Sequence, residues 1–189
     1  MRTNPPSHAT IIQVTTFASP VGEITFAMDG PALCALKFAG GRTSVWPALA
    51  RRYGPDVELA EASARHPAVV ALLAYFDGDL DALDAIEVSA GGTPFQQRVW
   101  QTLRAIPVGQ TASYADIAHR IGAPKAFRAV ARANATNPVG IVIPCHRVIG
   151  ADGALRGYGG GLERKAWLLE HERTARAPRH GEQIALSAR

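Results

Sequence analysis

The first forty residues carry short apolar, β-rich runs broken by turns, and the chain then changes to a helical spacing of three to four. Residues 10–17, 23–28 and 32–38 are rich in β-branched and aromatic residues. Ser19-Pro20-Val21-Gly22 and Asp29-Gly30-Pro31 punctuate them as turns, which predicts an antiparallel meander. Residues 45–53 and 68–76 read as helices, the second with Val69, Leu72, Leu73 and Phe76 on one face. Asp77-Gly78-Asp79 stops it, and Ile86-Glu87-Val88 adds a strand or an extended linker. Ala90-Gly91-Gly92 is the expected boundary of an N-terminal α/β support domain, residues 1–91.

The second half is patterned for helices. Thr93 caps the first, Pro94 suits its first turn, and Gln96 completes a capping box. Phe95, Val99, Leu103 and Ile106 recur on one face, and Pro107-Val108-Gly109 ends the helix. Ser113 with Asp116 three residues on is a second capping box, opening a short helix to about Arg120. After Gly122-Ala123-Pro124 a third helix is expected from about Lys125 to Ala135, before Asn137-Pro138. Residues 162–173 form a last helix, and residues 176–189 read as a loose, flexible tail. The fold class expected is α/β with two domains: an N-terminal antiparallel β-sheet with helices, and a mainly helical C-terminal domain over residues 92–175.

Within that second domain, residues 114–135 have the order helix, glycine-containing turn, helix, which is the helix-turn-helix pattern. Arg128 and Arg132 share a face of the second helix, while Phe127, Val130 and Ala131 suit packing on another. Ala126, Ala129, Ala133 and Ala135 keep it slim enough to enter a groove. The same pattern also suits a core helix pair with solvated arginines.

Charge sharpens the division. Residues 1–92 hold 6 Lys/Arg and 10 Asp/Glu, whereas residues 93–189 hold 14 Lys/Arg and 6 Asp/Glu. A basic half beside an acidic one suits a polyanionic partner, or ordinary variation of surface charge. There is no apolar run long enough for a membrane span and no signal-peptide pattern after Met1, so a cytoplasmic setting is expected. Cys34 and Cys145 make neither a disulfide framework nor a four-cysteine metal site. Cys34, inside Ala32-Leu33-Cys34-Ala35-Leu36, is read as core. His119 and His171 are read as surface residues and Trp100 and Trp167 as core. Asp77, Asp79, Asp81 and Asp84 lack calcium-loop spacing and read as a solvated turn.

The candidate chemistry lies in Pro144-Cys145-His146-Arg147-Val148, after the apolar run Val139-Gly140-Ile141-Val142-Ile143 and before Gly157-Tyr158-Gly159-Gly160-Gly161. A thiol beside a titratable group at a chain turn is a candidate nucleophile. Adjacent side chains of an extended chain point to opposite faces, so Cys145 and His146 need a sharp bend or a bridging water to cooperate. A third group must orient the histidine, and Glu172 in the last helix is suited to it.

Taken together these residues resemble the O6-alkylguanine-DNA alkyltransferases. The resemblance runs from the Ser19-Pro20-Val21-Gly22 turn through Phe95-Gln96-Gln97-Arg98-Val99-Trp100, Ser113-Tyr114, Arg128-Ala129-Val130 and Asn137-Pro138. It continues through the cysteine pentapeptide, the glycine cluster and Lys165, Leu168, Leu169 and Glu172. It implies irreversible transfer of an alkyl group from O6-alkylguanine in DNA to Cys145, with O4-alkylthymine open as a second substrate. His146 would take the thiol proton through water, Glu172 would support it, and Asn137 would tie the recognition helix to the cysteine loop. Arg128 would fill the stack left by a flipped base, with Ala129 and Arg132 also on DNA. Tyr114 would help turn the nucleotide and, with Val148, Tyr158 and Gly159, border the base pocket. The implied partner is double-stranded DNA containing alkylated bases, bound by a monomer, with cooperativity along DNA left open. No cofactor and no metal are implied, because Cys34, His8 and His66 have no ligand spacing. The product thioether has no carbonyl for water to attack, so each protein would act once.

Three positions depart from the pattern. Gly159 replaces a serine, Arg156 a smaller residue, and Gly140 is expected to leave room beside the cysteine for groups larger than methyl. A lesion-binding relative without chemistry would lack Cys145. A methyl-responsive transcription factor would need an additional four-cysteine zinc domain. A cysteine hydrolase is a more distant alternative.

Overall fold

The computed structural model describes residues 10–38, 40–63 and 65–175. His8 and the expected tail over 176–189 lie outside them.

Three strands follow the predicted meander: β1 (Ile11–Ser19), β2 (Gly22–Asp29) and β3 (Ala32–Phe38). Two antiparallel ladders join them, with a bulge between Ala27 and Met28. α1 (Gly41–Tyr53) follows, and then β4 (Glu58–Glu61), which sequence patterning missed. β4 pairs parallel to β1, so the sheet order is β3-β2-β1-β4 and its outer edge is not antiparallel. Four residues reading Glu-Leu-Ala-Glu carry too little alternation to announce a strand; their pairing is set by the neighbour. On the opposite edge, Ile86-Glu87-Val88 makes no strand, only a bridge from Val88 to Leu33.

β2 is central, and Ile24, Thr25, Phe26, Ala27 and Met28 are all buried because both faces of the sheet are covered. On one side Ile12, Val14, Ala27, Cys34, Ala35, Val45, Leu49 and Val57 form a small core with α1. Cys34 belongs there, as expected, its thiol donating to the Ala27 carbonyl at 3.2 Å. On the other side a larger core continues from Phe26, Leu33 and Leu36 into α2 (Pro67–Phe76) and the helices of the second half. His66 caps α2, its Nδ1 accepting from the Ala68 amide. Ala68, Val69, Leu72 and Tyr75 face inward, whereas Leu73, predicted on the same face, is 42% exposed. A tighter 3-10 helix, Leu80–Ala85, follows.

α3 (Pro94–Arg104) starts with the predicted Thr93–Gln96 capping box, and Val99, Leu103 and Ile106 are buried. Gly92 stands at φ +82, and a Cβ there would lie 2.7 Å from the Trp100 ring, so glycine is needed on two counts. The indole of Trp100 donates to the Ala133 carbonyl at 2.9 Å, locking α3 to α5. α4 (Tyr114–Arg120) opens on the predicted Ser113–Asp116 box. A 3-10 turn at Pro124–Ala126 leads into α5 (Phe127–Ala135), and α6 (Leu162–Ala175) closes the chain. The helix-turn-helix is thus α4 and α5. Phe127 is not a packing residue: it starts α5 at 47% exposure, beside Arg128. Trp167 is half-buried rather than core. His171, expected at the surface, is half-buried and stacks on Trp167 with ring centroids 4.9 Å apart.

Candidate functional site

The cysteine segment is held by the edge of the N-terminal sheet. The Leu36 amide donates to Pro138 O at 2.8 Å, and Val139 bridges to Leu36. The run from Val139 to Ile143 is buried but folds as turns rather than as a strand. Ile141 has φ +69, an unfavourable conformation for a β-branched residue, which a surrounding fully packed core holds in place. Cys145–Arg147 then form a single 3-10 turn. The backbone thus bends sharply between Cys145 and His146, one of the two ways expected for them to cooperate.

Asn137, just past the end of α5, clamps the turn's approach. Its Nδ2 donates to Ile143 O at 2.8 Å and its Oδ1 accepts from the Val139 amide at 3.0 Å. Burial pushes the Cys145 thiol pKa up, while the Asn137 side chain and the Lys165 charge pull it back. Lys165 is itself buried, with Nζ donating to Val148 O at 2.6 Å and Arg156 O at 2.8 Å. It therefore fixes both ends of the loop between the cysteine turn and the glycine cluster.

His146 and Glu172 are fully buried and pair at 2.8 Å through Nε2 and Oε1. Arg147 Nε lies 3.0 Å from Oε2 and Nη2 lies 2.9 Å from Oε1, a fork-to-fork ion pair. The remaining Arg147 nitrogen, Nη1, donates to Ile106 O at 2.6 Å. Burial by itself would raise the Glu172 carboxyl pKa, but the hydrogen bonds from His146 and Arg147 and the Arg147 charge hold it well below the usual range. An ionised Glu172 only accepts, so His146 carries its hydrogen on Nε2. Nδ1, buried and without a partner among the described residues, keeps its lone pair. Burial lowers the His146 pKa, opposed by Glu172, so the ring is held neutral.

Both shifts have the same sign for stability. The Glu172 contribution is complete above the unfolded carboxyl's pKa, about 4.3, and is lost as pH falls through that value toward the depressed folded one. His146 adds to the loss, because the unfolded ring binds a proton below about pH 6.5 that the buried ring resists. Tm measured between about pH 3 and 8 should therefore fall steeply on the acid side. In Glu172→Gln the fall below about pH 5 should be shallower, because the neutral side chain no longer titrates. Parallel curves would show that Glu172 does not dominate acid stability.

A two-stranded parallel ladder joins β5 (Ala112–Ser113) to β6 (Val148–Ile149). Since Tyr114 follows Ser113 directly, this ladder carries it to the cysteine turn. The Tyr114 hydroxyl lies 3.4 Å from Arg156 O, and burial followed by the Cys145 charge raises its pKa. Tyr158 lies on the other side, its ring 6.4 Å from His146 and 5.8 Å from Phe38, with its hydroxyl buried and unpaired among the described residues. Gly159 is exposed and open to space. Gly140 is buried, and a Cβ there would rest 3.7 Å from Phe38 and 3.8 Å from Tyr158, ordinary contact distances. Arg156 is turned outward onto Asp152 at 2.6 Å.

The structure thus gathers Cys145, His146, Glu172, Asn137, Tyr114, Val148 and Tyr158 around one buried turn. Arg128, Ala129 and Arg132 stand apart, exposed on α5. Among the described residues no group of three His, Cys, Asp or Glu side chains could hold a metal ion. No described helix is long and apolar enough to cross a membrane.

Residues 94–174 match the family model of the 6-O-methylguanine DNA methyltransferase DNA-binding domain. A methylated-DNA–protein-cysteine methyltransferase of Mycobacterium bovis is 46% identical over 170 residues, covering 89% of this chain and 96% of that one. The chain belongs to the methylated-DNA–protein-cysteine methyltransferases. The Salmonella typhimurium protein of the same name is 57% identical over 98 residues, but that match spans only 57% of its length and 52% of this chain. The crystal structure of Mycobacterium tuberculosis O6-methylguanine methyltransferase superposes with a TM-score of 0.71 at 42% identity, covering 87% of this chain and 94% of that chain. The structure of that organism's OGT in complex with DNA gives 0.72 with the same coverage.

Within this methyltransferase fold, sequence reasoning missed the full set of groups on Glu172. Arg147 was part of the pentapeptide without a role, yet it supplies the ion pair. The Gly109 amide also reaches Oε2 at 3.3 Å, and Tyr75 reaches Oε1 from 97 residues away. The one legible signal was Tyr75 itself, a hydroxyl on the buried face of an apolar helix.

Proposed function

We propose that this protein repairs alkylated DNA by moving the alkyl group of O6-alkylguanine, and in the same way O4-alkylthymine, onto its own Cys145. The observation that carries the assignment is the pairing of His146 Nε2 with the Glu172 carboxylate, which leaves the buried Nδ1 lone pair beside the thiol's turn. In this reading Nδ1 takes the Cys145 proton through water and Glu172 stabilises the imidazolium that forms. The thiolate attacks the alkyl carbon, a carbon–sulfur bond forms, and the bond to O6 breaks. The electron pair returns to the purine, and the proton released by the thiol balances the one that guanine regains. Lys165 and Asn137 offset part of the burial penalty on the thiolate.

A base inside a duplex cannot reach a thiol buried to this degree, so the nucleotide must leave the stack at a cost of a few kcal/mol. The exposed first turns of α5 offer Arg128 to fill that gap, with slim Ala129 and Arg132 beside it against the minor groove. Tyr114, Val148, Tyr158 and Gly159 then border the base. Gly140 favours tolerance of groups larger than methyl, since its place beside Tyr158 holds no side chain. The reading extends to a monomeric cytoplasmic protein acting without a cofactor or metal on double-stranded DNA that carries alkylated bases. It also places a division at Ala90-Gly91-Gly92 between the support domain and the catalytic, DNA-binding one. Cooperative binding along DNA is compatible with it.

Intact-protein mass spectrometry after incubation with duplex DNA containing O6-methylguanine is the decisive experiment. One methyl per protein, mapped to Cys145 and absent in Cys145→Ala, is expected. An unmodified protein that still binds the lesion would replace the proposal with lesion recognition alone.

A further inference from the structure

Tyr75 belongs to α2, in the half of the chain that carries none of the residues so far placed in the chemistry. It is fully buried, and its hydroxyl donates to Glu172 Oε1 at 3.0 Å. That oxygen is the one paired with His146 Nε2. Burial first, then the Glu172 charge, pushes the Tyr75 pKa up, so the phenol keeps its proton and remains a donor. α6 grips the same residue twice through consecutive side chains. Glu172 takes the hydroxyl, while His171 Nε2 donates to the Tyr75 carbonyl at 2.8 Å with its ring edge-on at 5.1 Å. This contact joins the two halves of the molecule, as do the bonds from the Leu36 amide to Pro138 O, from Arg164 Nε to Val21 O and from Arg104 Nη2 to Ile86 O.

We infer that Tyr75 is a positioning residue through which the N-terminal half sets the proton affinity of His146; the catalytic consequence rests on the alkyl-transfer reading above. Oε1 accepts from His146, from Arg147 Nη2 and from Tyr75. Each donor withdraws charge from the carboxylate and weakens its hold on the others. Tyr75 therefore competes with the imidazole for Oε1 while fixing where that oxygen sits. The groups facing this pair are Arg147 on the cysteine turn, Tyr75 on α2, the Gly109 amide after α3, Tyr158 by the glycine cluster, and Lys165 on α6. Among them only Tyr75 comes from the N-terminal half.

The test is the titration of the His146 ring by nitrogen-detected NMR, together with the pH profile of Cys145 benzylation by free O6-benzylguanine, which needs no DNA. Tyr75→Phe keeps the ring and removes the donor. Its His146 midpoint should rise by about half a pH unit, roughly a threefold gain in proton affinity. The acid limb of the rate profile should move the same way, with the plateau rate kept or raised. 3-Fluorotyrosine at position 75, a stronger donor of nearly the same shape, should move both in the opposite direction. Superimposable midpoints in the three proteins, or a lowered plateau with no movement of the limb, would overturn the inference and leave Tyr75 as packing. If the midpoint moves but no protein benzylates Cys145, the positioning role stands and the alkyl-transfer reading fails instead.

Discussion

Glu172→Ala should unfold the site as well as silence it. The substitution leaves the Arg147 guanidinium buried with no counter-charge, and strips partners from His146, Tyr75 and the Gly109 amide together. Removing one member of a buried ion pair costs about 3–5 kcal/mol. Alkyl transfer should fall by about 10²- to 10⁴-fold, the range of a lost general acid–base group. Urea unfolding and single-turnover rates with free O6-benzylguanine measure the two losses. They should separate in Glu172→Ala/Arg147→Met, which removes both charges and puts apolar surface where the guanidinium lay. Stability should recover substantially in the double variant, because no unpaired charge stays buried. Transfer should stay low, because His146 still lacks its partner. Recovery of both would mean that Glu172 supports the fold alone.

Arg128→Ala should be nearly silent in the folded protein and severe on duplex DNA. Arg128 is exposed on the first turn of α5, with the neighbouring Phe127 ring against its guanidinium, 5.7 Å from the centroid. Surface substitutions of this kind usually change stability by less than about 0.5 kcal/mol. If its guanidinium fills the gap of an extruded base, its loss returns part of the few kcal/mol that extrusion costs, roughly a hundredfold in duplex repair rate. The loss on the free base should be much smaller, because nothing needs to be extruded. Matched single-turnover rates on duplex O6-methylguanine and free O6-benzylguanine distinguish the two. Equal losses would remove Arg128 from base extrusion and place it in general support of the site.

Much of this protein was legible from local pattern. The Thr93–Gln96 and Ser113–Asp116 boxes form as written, because each is complete within four residues. The meander, the helix-turn-helix and the burial of Cys34 follow equally local rules of alternation, glycine turns and apolar runs. The pentapeptide with its flanking motifs pointed to Cys145, His146, Glu172 and Asn137, and the fold gathers all four around one turn.

Other features are decided by contacts between residues far apart. β4 exists because β1 offers it a free edge, and its own four residues hold no such signal. Phe127 and Leu73 satisfy a helical repeat yet stand exposed, since no described element packs over them. His171 looks solvated in sequence but lies between Trp167 and the Tyr75 carbonyl. The sequence by itself determined the first three strands, the main helices, the caps of α3 and α4, and which cysteine is the candidate nucleophile. Only the tertiary structure determined which groups share Oε1 of Glu172, because a carboxylate selects its donors by position in space. Those donors come from α2 and the cysteine turn, two segments with no common local pattern.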